Sequence, residues 1–270
     1  MSEKYVQVDG LKTRYLEEGS GPAVLLLHGA SLGSSADVWE RNLAPLARHG
    51  LRVVAFDQPG FGLTDNARDY SVPYRRRFIL QFMDALGIQK AALIGHSQAG
   101  SMAATLAFDQ PDRISKVVAL ATGSLLPPLS EGGKSGGEGE EGGSSEPTLD
   151  DARALLANNL FNPALITPEV LEKRHRMSVG KNFQAFLERG KAPRGGGKDA
   201  TPIWERLTQL PVPLLMIYGK QDRGSAVKRA ALLKERYPAL NIHLLDNCKH
   251  LAQWDAAEEF ARLSGSFLSS

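Results

Sequence analysis

Ser97, Asp222 and His250 lie far apart in the chain, yet each has the type and local setting that catalysis by an alcohol nucleophile requires. A serine hydroxyl is a weak nucleophile and needs a base that a third group orients. Ser97 sits in Ala91-Ala92-Leu93-Ile94-Gly95-His96-Ser97-Gln98-Ala99-Gly100, where a short apolar run meets small residues and then a helix-forming stretch. A strand-to-helix turn this tight admits only small side chains around the serine and lifts its hydroxyl clear of the sheet. Ala99 takes the place of the last glycine of Gly-x-Ser-x-Gly, and Gly100 follows it. The N–H of Gln98 then opens a helix, where a developing oxyanion is stabilised. The loop after His28-Gly29 offers a second donor, expected to be the N–H of Ala30.

Acid and base follow in the order nucleophile, acid, histidine. Met216-Ile217-Tyr218-Gly219-Lys220-Gln221-Asp222 places Asp222 just beyond a strand, and Leu244-Leu245-Asp246-Asn247-Cys248-Lys249-His250 does the same for His250. All three side chains thus fall outside the carboxyl ends of parallel strands, where such sheets carry their sites. His28 is expected to support the oxyanion loop, and His49 and His243 to be structural or solvent-facing. His96 is expected to point away from the attacking oxygen, and Asp57 to organise a loop with Gly60 and Gly62. Ala-Thr-Gly-Ser after Leu120 leaves the other common acid position empty. Cys248 lies near His250, but a small buried residue at a strand end is the expected reading, because Ser97 has the nucleophile's context.

The elements that hold these residues alternate. Apolar runs at 5–8, 12–17, 23–27, 51–56, 91–94, 116–120, 212–218 and 241–245 read as strands, and Asp9-Gly10 favours a tight hairpin between the first two. Helical patterns occupy 37–48, 74–86 and 102–108, with a closing helix at 255–268. The alternation predicts a doubly wound α/β sheet. It is interrupted at residues 125–210, which read as helical at 152–160, 168–178 and 182–188. A Gly/Glu-rich tract at 131–145 has no apolar side chain to bury and is expected to be flexible, and Gly195–Gly197 marks a loop. Residues 1–124 and 211–270 then form the core, with 125–210 as a helical insertion.

Composition narrows the classes. A formal net charge of +2 gives no reason to invoke nucleic acid or an anionic membrane surface, and no apolar run nears the ~20 residues of a membrane span. The opening Met-Ser-Glu-Lys-Tyr-Val enters a strand pattern at once, which argues against a signal peptide. One cysteine cannot form an internal disulfide and suits a reducing cytoplasm. A small-molecule substrate is expected, with no metal and no cofactor.

With this elbow, the chain resembles the α/β-hydrolase superfamily, and over most of its length the meta-cleavage-product hydrolases. The likeness rests on His250-Leu-Ala-Gln-Trp-Asp and Gly219-x-x-Asp222-Arg223. It extends to Leu165-Ile166-Thr167-Pro168-Glu169-Val170-Leu171-Glu172-Lys173-Arg174, Asn182-Phe183 and Lys191-Ala192-Pro193. It implies a mostly parallel doubly wound sheet with a helical lid. It also implies hydrolysis of a carbon–carbon bond in vinylogous 1,5-diketones, the ring-cleavage products of catechols, to a hydroxydienoate and a carboxylic acid. Arg174 matches the family's lid arginine, which implies a clamp on the substrate carboxylate, and Trp254 matches a tryptophan near the substrate. A homodimer is also implied. The elbow differs from the family's usual Asn-Ser-Met-Gly-Gly, and Ala30-Ser31-Leu32-Gly33-Ser34-Ser35 replaces a loop that often contains Gly-Pro-Gly. Whether serine or water attacks the ketone stays open at this level. A carboxylesterase or thioesterase could use the same triad, and a small-molecule receptor could use the same fold. Dehalogenase or epoxide-hydrolase chemistry would need an aspartate where Ser97 stands.

Overall fold

The structure is a computed structural model that describes residues 3–129, 145–191 and 201–270. The expected flexible tract, apart from Ser145, and the loop at 195–197 lie outside the described residues. Strands β1 (Lys4–Val8), β2 (Leu11–Glu18), β3 (Ala23–Leu27), β4 (Arg52–Phe56), β5 (Ala91–His96), β6 (Ile114–Leu120), β7 (Leu214–Gly219) and β8 (Asn241–Leu245) form one sheet, ordered β1-β2-β4-β3-β5-β6-β7-β8. The β1–β2 and β2–β4 pairs are antiparallel and the rest are parallel. Asp9 and Gly10 both take positive φ (50° and 76°), the turn that matches the twist of a two-residue hairpin.

The helices are α1 (Leu43–Ala47), α2 (Val72–Ala85), α3 (Gln98–Asp109), α4 (Leu149–Asn159), α5 (Pro168–Arg176), α6 (Lys181–Lys191), α7 (Ala226–Arg236), α8 (Ala252–Asp255) and α9 (Ala257–Ser269). Unbroken apolar strands are needed because both faces of the sheet are covered. Val24, Leu26, Val53 and Ala55 face one layer with Leu43, Leu46, Phe260 and Leu268 from α1 and α9. Their neighbours Leu25, Leu27, Val54 and Phe56 face the other, against Phe78, Phe82, Met102 and Leu106 of α2 and α3. Each such Leu or Phe contributes roughly 1.5–3 kcal/mol by leaving water, so the central strands are the rigid base from which the loops project.

Three local readings need correction. The helix expected over 37–48 is instead a 3-10 turn at Ala36–Trp39 followed by α1. Pro45 explains the break: in one continuous helix its ring would clash with the carbonyl of residue 41, whereas a restart at Leu43 puts it in a first turn. The closing helix starts at Ala257, and Asp255 ends the separate turn α8. Its carboxylate accepts the N–H groups of Phe161, Asn162 and Lys249, and so ties that corner to the helical insertion. Helix α7 is additional to the expected set. Its Ala230 and Leu233 are buried, and Arg229 lies under them with its guanidinium donating to the carbonyls of Gly123, Leu126 and Pro127.

Candidate active site

Ser97 occupies the single-residue corner between β5 and α3, with φ 55° and ψ −127°. A non-glycine residue held there costs on the order of 1–3 kcal/mol, which the surrounding packing must offset. The packing leaves little freedom. A Cβ on Gly95 would stand 2.4 Å from the Ala99 carbonyl oxygen, and one on Gly100 would stand 2.0 Å from Thr122 Oγ1. Ala99 itself is fully buried, so an alanine does fit where the strict pattern has glycine. The Ser97 N–H donates to Leu120 O on β6, pinning the corner to the neighbouring strand.

Asp222 and His250 are brought together by the loops that leave β7 and β8. Asp222 Oδ2 lies 3.0 Å from His250 Nδ1, and both side chains are buried. The other carboxylate oxygen accepts the Arg223 N–H at 2.7 Å. A carboxylate can only accept at neutral pH, so Nδ1 carries the proton and Nε2 is left as the basic nitrogen. The two loops are joined by main-chain bonds. Lys220 N–H donates to Leu245 O, and Gln221 N–H to Cys248 O. Gln221 Oε1 in turn accepts the Cys248 N–H. Gln221, which directly precedes Asp222, thus joins the two loops through both its main chain and its side chain. His96 Nε2–H donates to the His250 carbonyl at 3.0 Å, and the two rings meet edge-on at 4.8 Å. Burial, with the neighbouring His250 acting in the same direction, holds His96 well below the usual histidine range, so it stays neutral.

The loop after β3 runs beside Ser97. A Cβ on Gly29 would be 3.3 Å from Ser97 Cβ and 3.0 Å from His96 Nδ1, so any larger residue here would press on both. Ala30 is the next residue along and is half-buried. His28 fixes the start of the loop: Nδ1–H donates to Gly29 O and Nε2 accepts the Gln58 N–H. Burial drives His28 down to about 3, and the guanidiniums of Arg75, Arg189 and Arg174 each push it the same way. The far end of the loop meets α5. Arg174 Nη1 lies 3.4 Å from Ser34 Oγ, and a Cβ on Gly33 would be 3.0 Å from Arg174 Nε. Trp254 is buried in the same apolar cluster as Leu156, Leu160 and Leu171 of the insertion, and its indole N–H is committed to Val38 O.

Other weighed residues have structural partners. Asp57 is fully buried, accepts the Ala36 and Leu63 N–H groups, and pairs with Arg14, which also pairs with Asp37. Burial lifts its carboxyl to about 6 despite Arg14. The Cys248 thiol is buried, points at Asp246 O, and is pushed up to about 12, unsuited to a thiolate nucleophile. The His49 ring packs where a Cβ on Gly265 would fall, and His243 bonds Asn241 Oδ1 at the surface. Among the described residues no group of His, Cys, Asp and Glu could hold a metal ion, and no helix is long and apolar enough to cross a membrane.

Comparison with known proteins places the chain in a family. Residues 22–134 match the α/β hydrolase fold family. The chain is 32% identical to a 2-hydroxy-6-oxo-6-phenylhexa-2,4-dienoate hydrolase of Burkholderia cepacia, over 94% of this chain and 90% of that one. It is 29% identical to a 2-hydroxy-6-oxononadienedioate/2-hydroxy-6-oxononatrienedioate hydrolase of Burkholderia vietnamiensis, over 99% and 96% of the two chains. Among solved structures, a meta-cleavage product hydrolase from Pseudomonas fluorescens IP01 superposes with a TM-score of 0.79 at 26% identity, covering 98% of this chain and 96% of that one. The chain therefore belongs to the meta-cleavage-product hydrolases of the α/β-hydrolase fold, and it is a hydrolase.

Proposed function

We propose that this enzyme hydrolyses a carbon–carbon bond in a vinylogous 1,5-diketone formed by ring opening of a catechol, with Ser97 as nucleophile, His250 as base and Asp222 as its orienting acid. The observation that carries this reading is the buried 3.0 Å pair of Asp222 and His250, on loops bonded to each other, in a fold that holds Ser97 half-buried at the corner between β5 and α3. Carbon is a poor leaving group, so the dienol must first pass its hydroxyl proton to the carbon beside the far ketone. Arg174 favours that step by holding the substrate carboxylate, which a guanidinium can grip with two parallel bonds. Ser97 then attacks the ketone as His250 Nε2 takes its proton. The N–H groups of Gln98 and Ala30 receive the oxyanion, each contributing about 3 kcal/mol to the transition state.

Collapse breaks the bond between the ketone carbon and its neighbour. The electron pair flows through the conjugated chain to the 2-oxo oxygen, and His250 returns the proton as the hydroxydienoate leaves. A water, deprotonated by His250, cleaves the acyl ester on Ser97 and releases the carboxylic acid. Trp254 packs beside the substrate, and helices α4, α5 and α6 of the insertion act as a lid over it. The single buried cysteine fits a cytoplasmic enzyme, and the family resemblance supports a homodimer. Loss of the coloured dienolate across a panel of ring-cleavage products, beside aryl esters, tests the reading. Higher kcat/KM on the dienoates is expected, and turnover of esters alone overturns it in favour of a carboxylesterase.

A further inference from the structure

Gln98, next to the nucleophile, is held in an arrangement that the reaction above does not require. Its Oε1 accepts a 2.6 Å hydrogen bond from Arg75 Nη1, and Arg75 Nη2 donates at 2.8 Å to Gln58 Oε1. Gln58 Nε2 donates to the His28 carbonyl at 2.7 Å, while its main-chain N–H donates to His28 Nε2. A guanidinium can only donate, so the amide oxygen of Gln98 must face Arg75 and its N–H₂ must face away. Arg75 is buried and Gln98 is exposed, so the donor end of the amide is the end offered outward. The chain of bonds runs on to His28, which opens the loop that approaches Ser97 at Gly29, and so holds the amide in one orientation. A buried positive charge on the amide oxygen also polarises the N–H groups and strengthens them as donors.

Arg174 meets residues 33–34, at the other end of the same loop. The 28–34 loop therefore has a cationic group near each end, Arg75 linked to His28 through Gln58 and Arg174 at residues 33–34, and it approaches Ser97 at Gly29. Arg189 adds charge on the Gln98 side, with its guanidinium 3.8 Å from the Phe61 ring centroid and Nη1 bonded to Gly60 O.

We propose that Gln98, positioned by Arg75, is a specificity-determining residue that donates a hydrogen bond to an oxygen on the acyl side of the substrate. The enzyme then favours acyl groups that end in a carboxylate over aryl groups. The inference deepens the carbon–carbon hydrolase reading and rests on it for the identity of the acyl half.

The test uses two substrate pairs with the purified full-length enzyme. One pair shares the hydroxydienoate half and carries a 3-carboxypropanoyl or a benzoyl group. The other presents the same acyl groups as p-nitrophenyl esters. Wild type is expected to prefer 3-carboxypropanoyl in both pairs. Gln98→Met should lower the ratio of kcat/KM values for 3-carboxypropanoyl over benzoyl about tenfold, mainly through KM. Gln98→Glu keeps the Arg75 partner but presents a carboxylate, and should lower the ratio further. A melting temperature for each variant separates a folding defect from a lost contact. A benzoyl preference in wild type, or an unchanged ratio in both folded variants, overturns the inference. If neither dienoate reacts but the esters do, the carbon–carbon reading fails alone, and the ester ratio still decides the role of Gln98.

Discussion

The two edges of the site are held by different forces. On the acid–base edge, the loops after β7 and β8 share main-chain hydrogen bonds, and a Cβ on Gly219 would stand 2.4 Å from the Cys248 carbonyl oxygen. On the opposite edge, α5 and α6 rest on the loops after β3 and β4 mainly through side chains. Lys173 reaches Glu40, Arg174 reaches Ser34, Asn182 reaches Gly62 O, and Arg189 reaches Gly60 O. Main-chain bonds in a packed setting fix geometry to fractions of an ångström, whereas long charged side chains hold surfaces together weakly. On the proposed mechanism, proton transfer belongs to the rigid edge, and substrate admission and recognition to the separable one.

The contrast breaks most sharply at Asp222. Asp222→Asn keeps the shape of the pair but removes the acceptor that fixes the His250 tautomer, and kcat should fall by roughly 10³–10⁴-fold on dienoates and esters alike. A small loss would show that the pair does not orient the base. Arg174→Ala should act on one substrate class only. It should cost roughly a hundredfold in kcat/KM on dienoates, about what loss of a charge-assisted contact implies, while aryl esters change little. Parallel loss on both classes would remove the clamp.

Acid pH probes the joint between the edges. His28 is depressed to about 3, so the unfolded chain takes up its proton first as pH falls through the ordinary histidine range. Stability from this group is full above about 6.5 and declines toward 3, by ~2 kcal/mol between pH 7 and pH 5. Asp57, raised to about 6, works in the opposite sense over that interval, because the folded state holds its proton more tightly. Urea unfolding at both pH values should therefore show a smaller acid-induced loss in His28→Asn than in wild type. An unchanged loss would mean that His28 is not the neutral ring described. The smallest effect belongs to Lys173→Ala. Lys173 and Glu40 are about one-third exposed, and burial lifts the Glu40 carboxyl above its usual range despite the contact. Stability should change by less than about 1 kcal/mol. A rise in dienoate KM would locate the effect in seating α5, and a fall in kcat alone would argue against it.

Chain-local features were legible before the structure. The strand at 91–94, which the structure extends to His96, the loop positions of Asp222 and His250, and the buried character of Cys248 all follow from residue order and apolar runs. Asp57 also reads correctly as a loop organiser, since a Cβ on Gly62 would fall 2.1 Å from its carboxylate. Pairings between distant elements were not legible. Arg75 lies in the first turn of α2 between Tyr74 and Arg76, and nothing in that context says that its guanidinium is buried against Gln58 and Gln98. Gln221 has no local signal for its bond to Cys248 N–H. Two misses did have signals. Pro45 already argued against one helix over 37–48, and Ala226, Ala230 and Leu233 have the spacing of the helix α7 that they occupy.

One rapid-mixing experiment bears most directly on the central claim that Ser97 attacks the ketone. Wild type and Ser97→Ala are each mixed in excess with a coloured ring-cleavage product, and the carboxylic acid released in a single turnover is quantified. With Arg174 intact, the variant should still change the colour of the bound dienolate as it ketonises, yet release acid at least ~10³-fold more slowly than wild type. Release of acid by Ser97→Ala at the wild-type rate would contradict the account.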